Sequence, residues 1–200
     1  TAAIEGSLRR LQTDYVDLYL LHSPPTELLE QGEVFELLAR LKRQGKIRFY
    51  GVSARTIADA LICLRDPDVS ALEVAFNLLD QEAARELLPL ASKHRVGVIA
   101  RVPLARGLLT DRAAVQTGSY LDDRTSREQA MARRVALAFL AGNGTRSMVH
   151  AAIQFVLQQP QISAVIPGTR SVRHLRANLQ ALEMPQLAAD DLERIARVCH

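Results

Sequence analysis

The chain has 200 residues, 48% of them hydrophobic and 24% charged, with a formal net charge of +3. That is enough apolar material for one sizeable core, so a single domain over residues 1–200 is expected. Charges of both signs are interspersed without a basic run or an aromatic-laced stripe, and no apolar stretch reaches eighteen residues, which speaks against a nucleic-acid binder and against a membrane-spanning helix.

Residues 2–12 place Ile4, Leu8 and Leu11 on one helical face, with Glu5, Arg9 and Arg10 opposite, and predict a short amphipathic helix. Tyr15 to His22 reads as a strand apolar on both faces, and such a strand belongs buried in a parallel sheet. It ends abruptly in His22, just before Pro24 and Pro25. After a polar loop, Val34, Leu37, Leu38 and Leu41 recur at helical spacing, with Gly45 as a C-terminal cap. A strand over 47–52 runs into Gly51-Val52-Ser53, and a helix over 56–64 stops at Asp66-Pro67. A strand over 71–76, a helix over 81–94 and a strand over 96–102 follow, ending at Pro103.

Residues 109–146 break this rhythm. They hold Thr117-Gly118-Ser119, Asp122-Asp123-Arg124, a helix over 128–140 and a Gly142-Asn143-Gly144 turn. A connection this long is either a lid over a binding site or a surface excursion. Asp123-Arg124 reads as an exposed pair or as a clasp on a ligand. Thr145 or Ser147 then caps a helix that runs to Gln158 and is stopped at Pro160. The last strand, over 163–166, leads into Pro167-Gly168-Thr169-Arg170-Ser171, and helices over 172–182 and 189–198 close the chain. Alternating strands and helices predict an α/β fold with parallel strands and right-handed crossovers.

Polar or small residues fall at the strand ends: His22, Ser53, Asn77, Pro103 to Gly107, and Gly168 to Ser171. Delivered at one end of a sheet, they match the catalytic face of a (β/α) barrel. The turns at Leu104-Ala105-Arg106-Gly107 and Gly168-Thr169-Arg170-Ser171 bring backbone N–H groups toward an anion; the second also opens a helix, and Arg170 and Arg173 add charge. No G-x-G-x-x-G follows a strand. His22 has no carboxylate or second histidine at ligand spacing, so no metal is expected. Cys63 and Cys199 are not spaced as a redox or metal pair, which fits a cytoplasmic location.

Taken together, Asp14 through His22, Gly45-Lys46-Ile47-Arg48 leading to Gly51-Val52-Ser53, Phe76-Asn77-Leu78-Leu79, Pro103 through Thr110, and Ile166-Pro167-Gly168-Thr169 with Asn178 resemble the aldo-keto reductases of bacteria. The resemblance covers nearly the whole chain. It implies a partial TIM (β/α)8 barrel of about five βα units ending in C-terminal helices. It also implies an NADP(H)-dependent oxidoreductase that reduces aldehyde or ketone carbonyls to alcohols by hydride transfer. On this resemblance His22 orients the substrate carbonyl, Ser53 holds the nicotinamide carboxamide, and Arg101 packs on the nicotinamide ring. Pro103, Leu104, Ala105, Gly107 and Leu108 match the pyrophosphate loop; Gly168, Thr169, Arg170, Ser171 and Asn178 match the adenosine-phosphate end.

The family's Asp, general-acid Tyr and Lys lie on its first strands, and no residue of this chain matches them; Tyr15, Tyr19 and Tyr50 do not substitute. Ala54 stands where the family usually has Asn, Glu73 where it often has Gln, and His174 and Ala177 occupy other positions that commonly help hold the adenosine. The expectation is therefore the C-terminal portion of such a reductase, inactive alone. The alternative is a non-catalytic nucleotide-binding regulatory subunit on the same scaffold. The expected partner is a small carbonyl compound, with no nucleic acid and no membrane.

Overall fold

A computed structural model describes residues 2–111, 127–141 and 146–199. The Thr117-Gly118-Ser119 and Asp122-Asp123-Arg124 segments, the Gly142-Asn143-Gly144 turn and Thr145 lie outside the described residues. Five strands follow one another in the sheet in chain order: β1 (Val16–His22), β2 (Ile47–Ser53), β3 (Val69–Ala75), β4 (Gly97–Arg101) and β5 (Ile162–Ile166). The fold is α/β, as expected, and is that of a partial TIM barrel. The chain divides into two compact units, residues 1–74 with 83–99 and residues 75–82 with 100–200.

In the first unit, α1 (Ala2–Leu11) buries Ile4 and Leu8, and Glu5 on its outer face pairs with Lys46. β1 and β2 run parallel, with Leu18 beside Phe49 and His22 beside Ser53. Burial of β1 on both faces does not hold: Asp17, Leu18 and His22 are exposed. An apolar run reports only that a strand can be buried, and β1 stands at the end of the strand order with β2 as its one neighbour.

The polar loop expected after Pro25 contains a helix, α2 (Thr26–Gln31), anchored by Leu29. It ends at Gly32, whose φ of +78° suits glycine and starts α3 (Glu33–Arg43) at a new angle. Phe35, Leu38 and Leu41 form the buried face of α3, and Gly45, φ +73°, follows its end as predicted.

β2 contains a close approach that only glycine permits. A Cβ on Gly51 would lie 1.8 Å from the Ala71 carbonyl oxygen, at the point where the β2–β3 register shifts. α4 (Ile57–Cys63) opens with a capping box: the Thr56 hydroxyl accepts from the Asp59 N–H, and the Asp59 carboxylate accepts from the Thr56 N–H. The helix expected over 81–94 splits into a single turn at Glu82–Ala84 and α5 (Leu87–Lys93). Pro89 has no N–H to continue a helix begun at residue 82, and in α5 it falls in the first turn, where no partner is required.

The second unit is built around α7 (Met148–Leu157), which buries Ala151, Ala152, Ile153, Phe155 and Val156. Phe155 stacks on Phe76, with ring centroids 5.7 Å apart. The helix predicted over 128–140 is α6 (Arg127–Ala136) followed by a tighter turn at Leu137–Ala141. α8 (Val172–Gln180) follows β5, and α9 (Ala189–Cys199) lays Arg194 over the Phe139 ring at 3.6 Å. Among the described residues no helix is long and apolar enough to cross a membrane.

Candidate functional site

In the first unit the tips of β1, β2 and β3 carry His22, Ser53 and Glu73 at matching register. Residues side by side in parallel strands project to the same face, so the three form one row. His22 is exposed, whereas Ser53 is buried and its hydroxyl donates to a Glu73 carboxylate oxygen at 2.9 Å. The chain leaves β1 sharply: Ser23 has φ +49°, and its N–H donates to the Ser53 carbonyl at 2.9 Å. That bond pins the imidazole-bearing tip to its neighbour.

The second unit contains a groove of about 1130 Å³ between the turn after β4 and the turn after β5. Gly107 and Gly168 both line it, so the two glycine turns face the same space. The first turn is strained. Val102, Ala105 and Arg106 have φ of +57°, +45° and +52°, and Gly107 has +100°. Each non-glycine residue held there costs on the order of 1–3 kcal/mol, and such cost concentrates at sites that clamp ligands. Arg134 on α6 grips this turn from behind, donating to the Leu108 and Thr110 carbonyls at 3.3 Å each.

The second turn opens α8. The Ser171 hydroxyl accepts from the His174 N–H, which leaves the first-turn amides of a nine-residue helix beside the groove. Gly168 is required neither by its φ nor by crowding, since a Cβ there would meet nothing within 4 Å; the space over it belongs to the groove. Asn178, only 6% exposed, also lines the groove, and its Nδ2 has no hydrogen-bond partner. A buried amide donor without an acceptor costs roughly 1–3 kcal/mol unless a ligand supplies one.

Among the described residues the charge lining the groove is mostly positive. Arg101, Arg106, Arg170 and Arg173 line the groove. Its carboxylate among the described residues is Asp111, which accepts from the Met148 N–H at the start of α7. An anion with hydrogen-bond acceptors suits these walls.

Of the residues singled out from sequence, Arg101, Pro103, Leu104, Gly107, Gly168, Thr169, Arg170, Ser171 and Asn178 line this one groove. Ala105 and Leu108 do not; both are buried, at 0% and 1% exposure. His22 and Ser53 belong to the first unit. Asn77 does not face a ligand either: it is fully buried, its Oδ1 accepts from the Leu79 and Asp80 N–H groups, and its Nδ2 donates to the Val102 carbonyl. A strand-end asparagine that closes its own turn looks the same in sequence as one that meets a substrate. Asp111, Ser147 and the grip of Arg134 went unforeseen as parts of the groove, because contacts across 24 to 37 residues have no local signature. Burial pushes the Cys63 thiol up to about 12 and raises that of Cys199, so neither is a reactive thiolate.

A profile of the Aldo/keto reductase family matches residues 1–199. The chain is 32% identical over 197 residues to the uncharacterized oxidoreductase YqkF of Bacillus subtilis, a match covering 96% of this chain and 63% of that protein. Among solved structures, the holo form of the aldo-keto reductase AKR11C1 from Bacillus halodurans superposes with a TM-score of 0.81 at 31% identity, over 100% of this chain and 66% of that one. An aldo/keto reductase from Klebsiella pneumoniae, solved in complex with NADP and acetate, superposes with a TM-score of 0.74 at 28% identity, covering 98% and 63%. The chain thus spans less than two thirds of the length of these relatives.

Proposed function

The chain belongs to the aldo/keto reductase family of oxidoreductases, and from that premise we propose that it binds NADP(H) through the groove of its second unit and serves the reduction of small aldehydes or ketones. The observation that carries this reading is the groove: two glycine turns, four arginines, a helix N-terminus and the unpartnered amide of Asn178 around one space. The residues present fit the cofactor. Leu104, Arg106 and Gly107 would hold the pyrophosphate, Gly168 to Ser171 with Arg170 and Arg173 the adenosine phosphates, and Asn178 an acceptor on the adenosine. When bound, NADPH supplies the hydride.

The chain's own residues prepare for that transfer. The His22 imidazole donates to the carbonyl oxygen and orients the carbon. In the first unit Ser53, the register neighbour of His22, would hold a nicotinamide carboxamide; in the second, Arg101 on the groove wall would pack on a nicotinamide ring. A general acid is a separate requirement, and none of the 200 residues matches the family's Tyr, Lys or Asp. On this reading the 200 residues bind the nucleotide and orient the carbonyl but do not by themselves supply the family's proton donor.

The test is a titration of the protein with NADPH, followed by nicotinamide fluorescence. Saturable binding is expected, weakened about tenfold in Arg170→Ala through loss of a charge-assisted hydrogen bond. Absence of binding, or an unchanged affinity in that variant together with Arg173→Ala, contradicts the assignment.

A further inference from the structure

Three side chains at four-residue spacing form a polar stripe along one face of α7, otherwise an apolar helix, and its C-cap: His150, Gln154 and Gln158. Each holds the backbone of α8 or of the segment that follows it. The Gln158 amide exchanges two bonds with Leu187, donating to its carbonyl at 3.1 Å and accepting from its N–H at 2.9 Å. The buried Gln154 amide donates to the Ala181 carbonyl and, at 3.2 Å, to that of Met184. His150, the last member, reaches the Ala177 carbonyl at 3.1 Å through Nε2.

The imidazole is also the second half of a capping box. Its Nδ1 accepts from the Ser147 N–H at 3.4 Å, while the His150 N–H donates to the Ser147 hydroxyl at 3.2 Å. A ring nitrogen that accepts carries no proton, so Nε2 holds the hydrogen and is the donor to Ala177. One neutral tautomer meets both demands. The peptide it holds is the one joining Ala177 to Asn178, and both residues line the groove together with Ser147.

We propose that His150 is a positioning residue for the adenosine-phosphate end of the groove: by bridging the start of α7 to the Ala177 carbonyl it sets the place of the Asn178 amide against the Gly168–Ser171 turn. The inference rests on the dinucleotide reading above and goes beyond it, because His150 is not itself a residue of the groove wall. Gln154 and Gln158 continue the same stripe but hold residues beyond α8, so they bear on stability rather than on the groove.

Glutamine can reproduce both bonds, accepting through Oε1 and donating through Nε2, and it is a favoured residue at this capping position. The probe is adenosine 2′,5′-bisphosphate, titrated calorimetrically into the protein and its variants. His150→Ala is expected to bind about tenfold more weakly and His150→Gln within about twofold of the unchanged protein. Gln158→Leu is expected to lower the melting temperature without changing affinity.

Unchanged affinity in His150→Ala overturns the proposal, as does an equal loss in Gln158→Leu. If the unchanged protein does not bind the probe, the dinucleotide reading fails. The positioning claim is then decided by hydrogen exchange of the amides at 176–180 without ligand. Faster exchange in His150→Ala, restored by His150→Gln, sustains it; equal exchange in all three contradicts it.

Discussion

Asp59 shows how much one side chain can fasten. Burial, the largest single influence on its carboxyl, pushes its pKa up. Hydrogen bonds from the Thr26 hydroxyl, at 2.7 Å, and from the Thr56 hydroxyl and N–H outweigh burial and hold it below the usual carboxylate range. A carboxyl lowered on folding stabilises the fold above its unfolded value, near 4, and that stability is lost as pH falls through the folded value. Asp59→Ala should cost about 2 kcal/mol near neutral pH, since it removes both a helix cap and the link to α2. The difference from the unchanged protein should shrink below pH 4, which urea unfolding at a series of pH values would read. Gly51 is the opposite case, where what matters is an absent atom. Gly51→Ala drives a Cβ into the Ala71 carbonyl and should cost about 4 kcal/mol or more, or prevent folding, as judged by thermal melts.

At the scale of elements, the strands and the long helices were legible because period and punctuation agreed. Val34, Leu37, Leu38 and Leu41 ahead of Gly45 located α3, and Thr145 or Ser147 ahead of an apolar run located α7, whose cap is Ser147. The misreadings have physical causes. α2 is too short to display a helical period, and only Leu29 in it is buried. Both burial patterns for β1 are compatible with the same apolar letters; the neighbours, not the strand, decide. In the groove, the turns at Gly107 and Gly168 announced themselves because a glycine just past a strand end marks a turn in any sequence. The supports behind them, Arg134 and the His150 stripe, did not, because their partners are main-chain carbonyls that any residue could supply. The unusual backbone of the 102–107 turn was equally invisible, since Val102 is a residue that a sequence reader would never assign to φ +57°.

At the scale of the molecule, two compact units divide the recognisable parts of the family's chemistry. The first carries the imidazole and the Ser53–Glu73 pair at its strand tips; the second carries the basic groove. Family membership establishes an oxidoreductase scaffold, and substrate choice on such a scaffold depends on its loops rather than on the fold. The proposed function requires that the groove receive a dinucleotide. Hydrogen exchange with and without saturating NADPH measures this most directly, peptide by peptide. Protection concentrated at 104–110 and 168–178 is the predicted result; protection confined to the first unit, or none in either segment, would contradict it.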